Sequence, residues 1–268
     1  MTVGVGLEGH HPKEDSMSGK FEAFAALHVP GDPVILFNAW DAGSAAAVER
    51  AGGRAIATGS WSVAAAQGYA DAQAIPLALA LANAVRIVGS VAVPVTIDFE
   101  GGYAVDPEPL AANMAALAAT GAVGCNFEDQ VIGAASRSLH PIDVQATRVA
   151  AARQATGPAF FLNARTDVFL ANPAETHDDA MADEAIERAQ AYAAAGASGF
   201  FVPGLVDLGL LERVCKASPL PVNVMAFPGA PSAHALAGVG VARISHGPYP
   251  YRAMIAGLEA AAREAFSY

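Results

Sequence analysis

The chain has 268 residues, 53% apolar and 15% charged, which is material for a large core and too little charge for an unfolded chain. Fifteen Lys and Arg stand against 26 Asp and Glu, a net charge of −11, so the clustered cations that grip a phosphate backbone are excluded. The two cysteines, Cys125 and Cys215, lie far apart and without CxxC spacing, which excludes a zinc–thiolate site or a disulfide framework and suits a reducing cytoplasm.

Residues 1–17 carry Gly, His, Pro and charge where packing residues would be needed, and they read as a mobile arm without the features of a signal peptide. Residues 18–268 read as one domain, with no apolar run long enough to span a membrane. A helix is expected over Gly19–His28, plugging the bottom of that domain. From Pro33 onward one rhythm repeats: a short apolar run ending in polar residues, an alanine-rich helical segment, then Gly or Pro. The expected strands are Val34–Ala39, Arg54–Gly59, Pro94–Asp98, Gly124–Glu128, Ala159–Arg165, Gly199–Pro203, Pro221–Met225 and Ala242–Ser245, each the kind of run that is buried on both faces. Helices are expected to begin near Gly43, Ile75, Pro107, Pro141, Asp178, Leu208, Pro231 and Pro250, several with proline in the first turn, where it costs no hydrogen bond. Eight such units predict an α/β chain closed into a (β/α)8 TIM-type barrel, with an open doubly wound sheet as the alternative. Phe37-Asn38-Ala39-Trp40-Asp41 stands where that alternative would carry a GxGxxG turn.

In such barrels the chemistry sits at the C-terminal ends of the strands. The polar residues there are Asn38 and Asp41, Gly59-Ser60-Trp61, Asp98 and Glu100, Glu128-Asp129, Asn163 and Arg165, and Asn223. Asp98 and Glu100, two apart on one strand, share a face that Glu128 on the next strand approaches. Such a cluster calls for a cation, and oxygen-only donors select a hard one, Mg2+ or Mn2+, with several waters retained; the competing reading is a structural acid–Arg network. Arg165 offers a planar fork to a substrate carboxylate or phosphate, or else pairs with Glu128 or Asp129. Gly59-Ser60 precedes a short helix whose N–H groups would take an anionic group. The stretch Val131–His140, VIGAASRSLH, breaks the rhythm and reads as a lid or as a plain surface loop. Cys125 reads as a small core residue, and His246 either faces the pocket or supports the fold.

The pieces LFNAWDAGSA, ATGSWSVAAAQGYAD, PVTIDFEGGYA, GAVGCNFEDQ, LNARTD, EAIERAQAYAAAGASGFFVPG and PVNVMAFPGAPS resemble, in this order, the isocitrate lyase and phosphoenolpyruvate mutase superfamily, from about Pro33 to the C-terminus. The resemblance implies a (β/α)8 barrel whose last helix is exchanged between protomers of a homodimer or homotetramer. It also implies a Mg2+ site and a small 2-oxo, 2-hydroxy or enol-phosphate carboxylate as substrate. By it, the metal-site acids map onto Asp71, Asp98, Glu100 and Glu128, the substrate-carboxylate contacts onto Gly59, Ser60 and Trp61, and the substrate arginine onto Arg165; Asn163 and Asn223 join the substrate side. Two departures bear on the reaction. The loop after the fourth strand has neither the cysteine nor the lysine of isocitrate and methylisocitrate lyases, and Arg137-Ser138-Leu139 keeps two of the three residues of the mutases' Asn-Ser-Leu. The metal pair Asp-x-Asp is here Asp98-x-Glu100.

The expectation is a Mg2+-dependent lyase that breaks a carbon–carbon bond of a small 2-oxo or 2-hydroxy carboxylate through an enolate, by retro-aldol cleavage or decarboxylation. Two others stand beside it: carbon–phosphorus chemistry, with Arg137 and Ser138 meeting the phosphoryl group, and a carboxylate-binding protein without catalysis. The last helix, Pro250 to Phe266, carries apolar residues at Met254, Ile255, Leu258, Ala261 and Phe266 after a hinge at Gly247-Pro248, a stripe that suits exchange or packing on its own barrel.

Overall fold

The computed structural model describes residues 12–134 and 138–267, with side chains from residue 18 on. Residues 1–11 of the expected arm lie outside the described residues, while residues 12–17 open the first helix. In chain order the helices are α1 (Pro12–Ala26), α2 (Ala42–Arg50), α3 (Ser60–Ala66), α4 (Leu77–Ser90), α5 (Pro107–Ala118), α6 (Ile142–Thr156), α7 (Asp179–Ala194), α8 (Leu208–Ala217), α9 (Ala233–Gly238) and α10 (Tyr249–Ala265). The strands are β1 (Val34–Leu36), β2 (Ile56–Ala57), β3 (Val95–Asp98), β4 (Gly124–Glu128), β5 (Phe161–Arg165), β6 (Gly199–Phe201), β7 (Val222–Met225) and β8 (Arg243–Ser245). None of the described helices is long and apolar enough to cross a membrane.

All strand pairs are parallel, in the order β1-β8-β7-β6-β5-β4-β3-β2. The remaining seam is closed by one parallel bridge, Ala39 to Thr58, with Ala39 N–H donating to Ala57 O at 2.8 Å. This is the expected barrel, and the open sheet is excluded. Outward-facing Ile97, Cys125, Phe127, Leu162, Phe200, Val222 and Ile244 pack with the helices into the main core, where burial of each large side chain is worth about 1.5–3 kcal/mol. Phe24 of α1 and the following His28 close the bottom against Phe161, with His28 stacked on that ring at 4.1 Å.

Seven of the eight strands are shorter than expected at one or both ends, and at the end of β1 the loss has a cause. There the polar tail leaves the ladder to join side-chain bonds. Asn38, expected on β1, instead donates through Nδ2 to Thr58 O at 2.7 Å and accepts at Oδ1 from His246 N–H and Gly247 N–H at 2.8 and 2.9 Å, tying three strand ends together. Asp41 caps α2 through Ser44. Glu100 is not on β3 as expected: the strand ends at Asp98, and Glu100 sits in the following turn at φ +50°.

Inside the barrel, Gly199 is fixed by close approach. A Cβ there would meet Asn163 Oδ1 at 2.6 Å and Phe161 Cε1 at 2.8 Å, so only glycine leaves room for the polar layer under the site.

Candidate active site

At the C-terminal ends of the strands lies a cavity of about 270 Å³ whose wall includes Gly59, Ser60, Trp61, Asp71, Asp98, Asn126 and Arg165. A second, more polar hollow shares Ser60, Asp71, Arg165 and Leu170 with it and adds Glu100 and Glu128, so the two are lobes of one site. The expected metal-site acids and the substrate arginine therefore do come together. Asn163 and Asn223 do not reach the wall. Both are buried in the barrel beneath it, Asn163 donating to Asn126 Oδ1 at 2.9 Å and Asn223 accepting from Ser245 at 3.3 Å. Ser138 is exposed, and Arg137 lies outside the described residues.

Asp98 is held by three donors: Ser60 N–H and Ser60 Oγ–H reach its Oδ2 at 2.9 and 2.8 Å, and Asn126 Nδ2–H reaches Oδ1 at 3.2 Å. The backbone N–H expected to receive a substrate anion at Ser60 is thus used on Asp98. Glu100 accepts Gln73 N–H at 2.7 Å. Ala72, Gln73, Glu100 and Tyr103 are the non-glycine residues with positive φ among the described residues, and all lie in the two segments that meet at this bond. Backbone strain of this kind, about 1–3 kcal/mol each, persists where surrounding structure imposes it and clusters at active sites.

Arg165 makes the ion pair with Glu128 that was one of its expected alternatives, and adds a contact to Asp167. Its Nε–H and Nη2–H donate to Asp167 at 2.6 and 2.9 Å, and Nη1 pairs with Glu128 at 2.9 Å. Three of five N–H groups are thereby engaged, and the guanidinium still forms part of the cavity wall. Asp167 was missed in the sequence, although its position two residues after Arg165 was the available signal. Asp129 is fully buried away from the cavity, bonded to Arg188 at 3.0 Å and to Tyr192 O–H at 2.8 Å. The same Arg188 Nη1 donates to His140 O at 3.1 Å, and His140 N–H to Asp129 O at 2.8 Å, so the two ends of the 131–140 loop are clasped together.

The electrostatics are those of acids crowded out of water. Burial pushes Glu100 up to about 8, and the charges of Asp71 and Asp98 add to the rise. Burial also pushes Glu128 above its ordinary range; Arg165 pulls it back, while Asp167, Asp98 and Glu100 push it further. Among the described residues no three His, Cys, Asp or Glu side chains form a ready-made metal cage. The donors nevertheless fit a Mg2+-like ion, which takes oxygen ligands, keeps several waters and needs only one or two carboxylates directly.

In the cation-free protein this crowding makes stability depend on pH. An unfolded Glu titrates near 4.5, so between about pH 4.5 and 8 the folded state binds more protons at Glu100, and the stability present at acid pH is lost as pH rises through that window. Glu100→Gln keeps an acceptor for Gln73 and removes the charge. In chelator its melting temperature is expected to fall less than the wild type's across this window, and parallel curves would show that Glu100 is not the strained acid.

A family model described as phosphoenolpyruvate phosphomutase matches residues 24–266. A provisionally assigned phosphonomutase of known structure from Burkholderia cenocepacia J2315 is 48% identical, with 93% of this chain and 99% of that one covered at a TM-score of 0.89. Uncharacterized protein Rv1998c of Mycobacterium tuberculosis H37Rv is 35% identical over 244 residues, 91% of this chain and 87% of that protein. 2-Methylisocitrate lyase of Escherichia coli K12 is 28% identical over 226 residues, 81% of this chain and 73% of that protein. Barrel, site and comparisons agree that the chain belongs to the phosphoenolpyruvate phosphomutase family, within the isocitrate lyase and phosphoenolpyruvate mutase superfamily.

Proposed function

We propose that the protein is a divalent-cation-dependent lyase that breaks a carbon–carbon bond of a small 2-oxo or 2-hydroxy carboxylate by retro-aldol cleavage or decarboxylation. The observation that carries this reading is the placement of the Arg165 guanidinium and the acids Asp71, Asp98, Glu100 and Glu128 around one cavity. Asp98, with Asp71, Glu100 and Glu128 around it, would hold Mg2+ or Mn2+. When bound, that ion supplies Lewis-acid charge beside the substrate's 2-oxygen. Arg165 orients the carboxylate with its outward N–H groups, held in place by Asp167 and Glu128. Ser60 fixes Asp98, so the carboxylate falls to the next N–H groups of the first turn of α3, beginning at Trp61. Leu170, Phe201, Pro203 and Met225 form an apolar wall that keeps water from the opposite side. Asn163 and Asn223 support this set from below. Two unpaired cysteines fit a reducing cytoplasm.

The absence of cysteine from the 131–140 loop bears on the reaction, since general acid–base help from such a thiol is worth roughly 10²- to 10⁴-fold. Decarboxylation, which needs only stabilisation of the enolate, is affected least. Carbon–phosphorus chemistry is the second reading, favoured by the likeness to the phosphonomutase and by Ser138-Leu139. In that case Arg137→Ala should erase activity on phosphonopyruvate, whereas in a decarboxylase it should cost at most a few-fold.

The assembly expected is a homo-oligomer that exchanges α10. From Arg252 onward every residue of α10 is exposed or half-exposed, including Met254 and Leu258, and so is Phe266 just after it. Ile35 on the outer face of β1 and Phe37 just after the strand are 44% and 48% exposed, in a groove bordered by Ala47, Val48, Pro250 and Met254 where a barrel helix would pack. Light scattering at micromolar concentration should give a dimer or a tetramer, and truncation before Tyr249 should give monomers; a monomeric full-length chain would count against exchange.

Oxalate tests the functional reading because it is a planar dianion with the two adjacent oxygens of a pyruvate enolate. Calorimetry should find oxalate bound in the presence of Mg2+ and not in chelator, whereas binding indifferent to the cation would contradict the reading.

A further inference from the structure

Beneath the cavity, Arg243 of β8 is fully buried, a position where packing alone would call for an apolar side chain. It makes no ion pair with any described carboxylate. Nε–H donates to Ser245 Oγ at 3.3 Å, Nη2–H donates to Asn126 Oδ1 at 3.1 Å, and Nη1 has no hydrogen-bond partner among the described residues. Burial pushes this guanidinium down to about 9 against the pull of the Asp98 charge. An unpaired buried cation is costly to keep.

What the guanidinium adds is direction. It can only donate, so Asn126 must turn its carbonyl oxygen towards Arg243 and its NH2 group towards Asp98, where Nδ2–H meets Oδ1 at 3.2 Å. Asn163 also donates to Asn126 Oδ1, but an amide can present either end, and Arg243 cannot. On Asp98, Ser60 fills both positions of Oδ2 and Asn126 fills one of Oδ1. Of the roughly four lone-pair positions of a carboxylate, this leaves one, on the oxygen that Asn126 holds.

We propose that Arg243 is a positioning residue which, by fixing the polarity of Asn126, makes Asp98 present its remaining Oδ1 lone pair to the divalent cation. The inference rests on the reading of the acids as a cation site. The sequence hid it: Arg243 stands in an apolar run, and Asn126 in the middle of β4.

The test is Mn2+ binding to the metal-free full-length protein without substrate, followed by electron paramagnetic resonance, with folding checked by circular dichroism. The wild type should bind and Asp98→Ala should not. Arg243→Gln, which can present either polarity, should bind roughly 10- to 100-fold more weakly, the usual cost of losing a partner that orients a ligand. Arg243→Lys, which still only donates, should stay within a few-fold of the wild type. Should Arg243→Gln not fold, Asn126→Leu must give the same loss. Wild-type affinity in a folded Arg243→Gln or Asn126→Leu protein overturns the inference alone, as does an Arg243→Lys protein as weak as Arg243→Gln, since size and not donor polarity would then be the cause. No Mn2+ binding by the wild type overturns the cation reading and this inference with it.

Discussion

Asp98→Ala is expected to lower kcat by roughly 10³-fold or more while the barrel stays folded. Removing one preorganised charge-stabilising group commonly costs about 10²- to 10³-fold, and this carboxylate is also where Ser60 and Asn126 converge. The fold should survive because Asp98 is only half-buried at the floor of an open cavity, where water can take over the donors it leaves. Its charge is one of those that push Glu100 up, so the cation-free variant should melt no lower than the wild type. The stabilisation that Mg2+ gives to the wild type should be absent. Retention of both activity and Mg2+-dependent melting would remove Asp98 from the site.

Arg165→Lys is expected to act on catalysis and on stability together. A single ammonium cannot reproduce a two-point contact with Asp167, the ion pair with Glu128 and a fork for the substrate. Loss of the charge-assisted substrate contact should lower kcat/KM by roughly 1–3 kcal/mol, about 5- to 150-fold. Arg165→Ala should be worse, because Glu128 and Asp167, at 5% and 0% side-chain exposure, would be left as buried acids without their partner, a change that costs about 3–5 kcal/mol of stability. Steady-state kinetics with melting curves separate the two effects. Unchanged kcat/KM in Arg165→Lys, with a lowered melting temperature, would assign Arg165 to the acid network alone.

The barrel was legible in the sequence because strands buried on both faces leave short apolar runs, and because each run ends where the polar residues of the site begin. Gly124–Glu128 keeps its predicted bounds for that reason, beginning on a glycine and ending before Asp129. Asp98, Glu128 and Arg165 were legible for the same reason, whereas Asp71, between α3 and α4, was reached only through the resemblance. What was not legible is what depends on contacts across the barrel. Asn126 and Arg243 are 117 residues apart in sequence and meet only when the sheet closes. Glu100 looked like a strand residue by alternation, but alternation cannot see that the chain turns left-handed at that position to deliver the carboxylate to Gln73. Asn163 and Asn223 have the residue type of ligand contacts and the depth of core residues, a distinction set by strand register rather than by local sequence.

The most direct test is product analysis by 13C and 31P nuclear magnetic resonance after incubation of the wild-type protein and Mg2+ with oxaloacetate, small 2-hydroxy dicarboxylates and phosphonopyruvate. Carbon–carbon cleavage of at least one of the carboxylates, abolished by chelator, with phosphonopyruvate recovered intact, is the result predicted. Conversion of phosphonopyruvate with every carboxylate untouched would contradict it and establish carbon–phosphorus chemistry, and Mg2+-dependent binding without any turnover would contradict it in favour of a protein that only binds carboxylates.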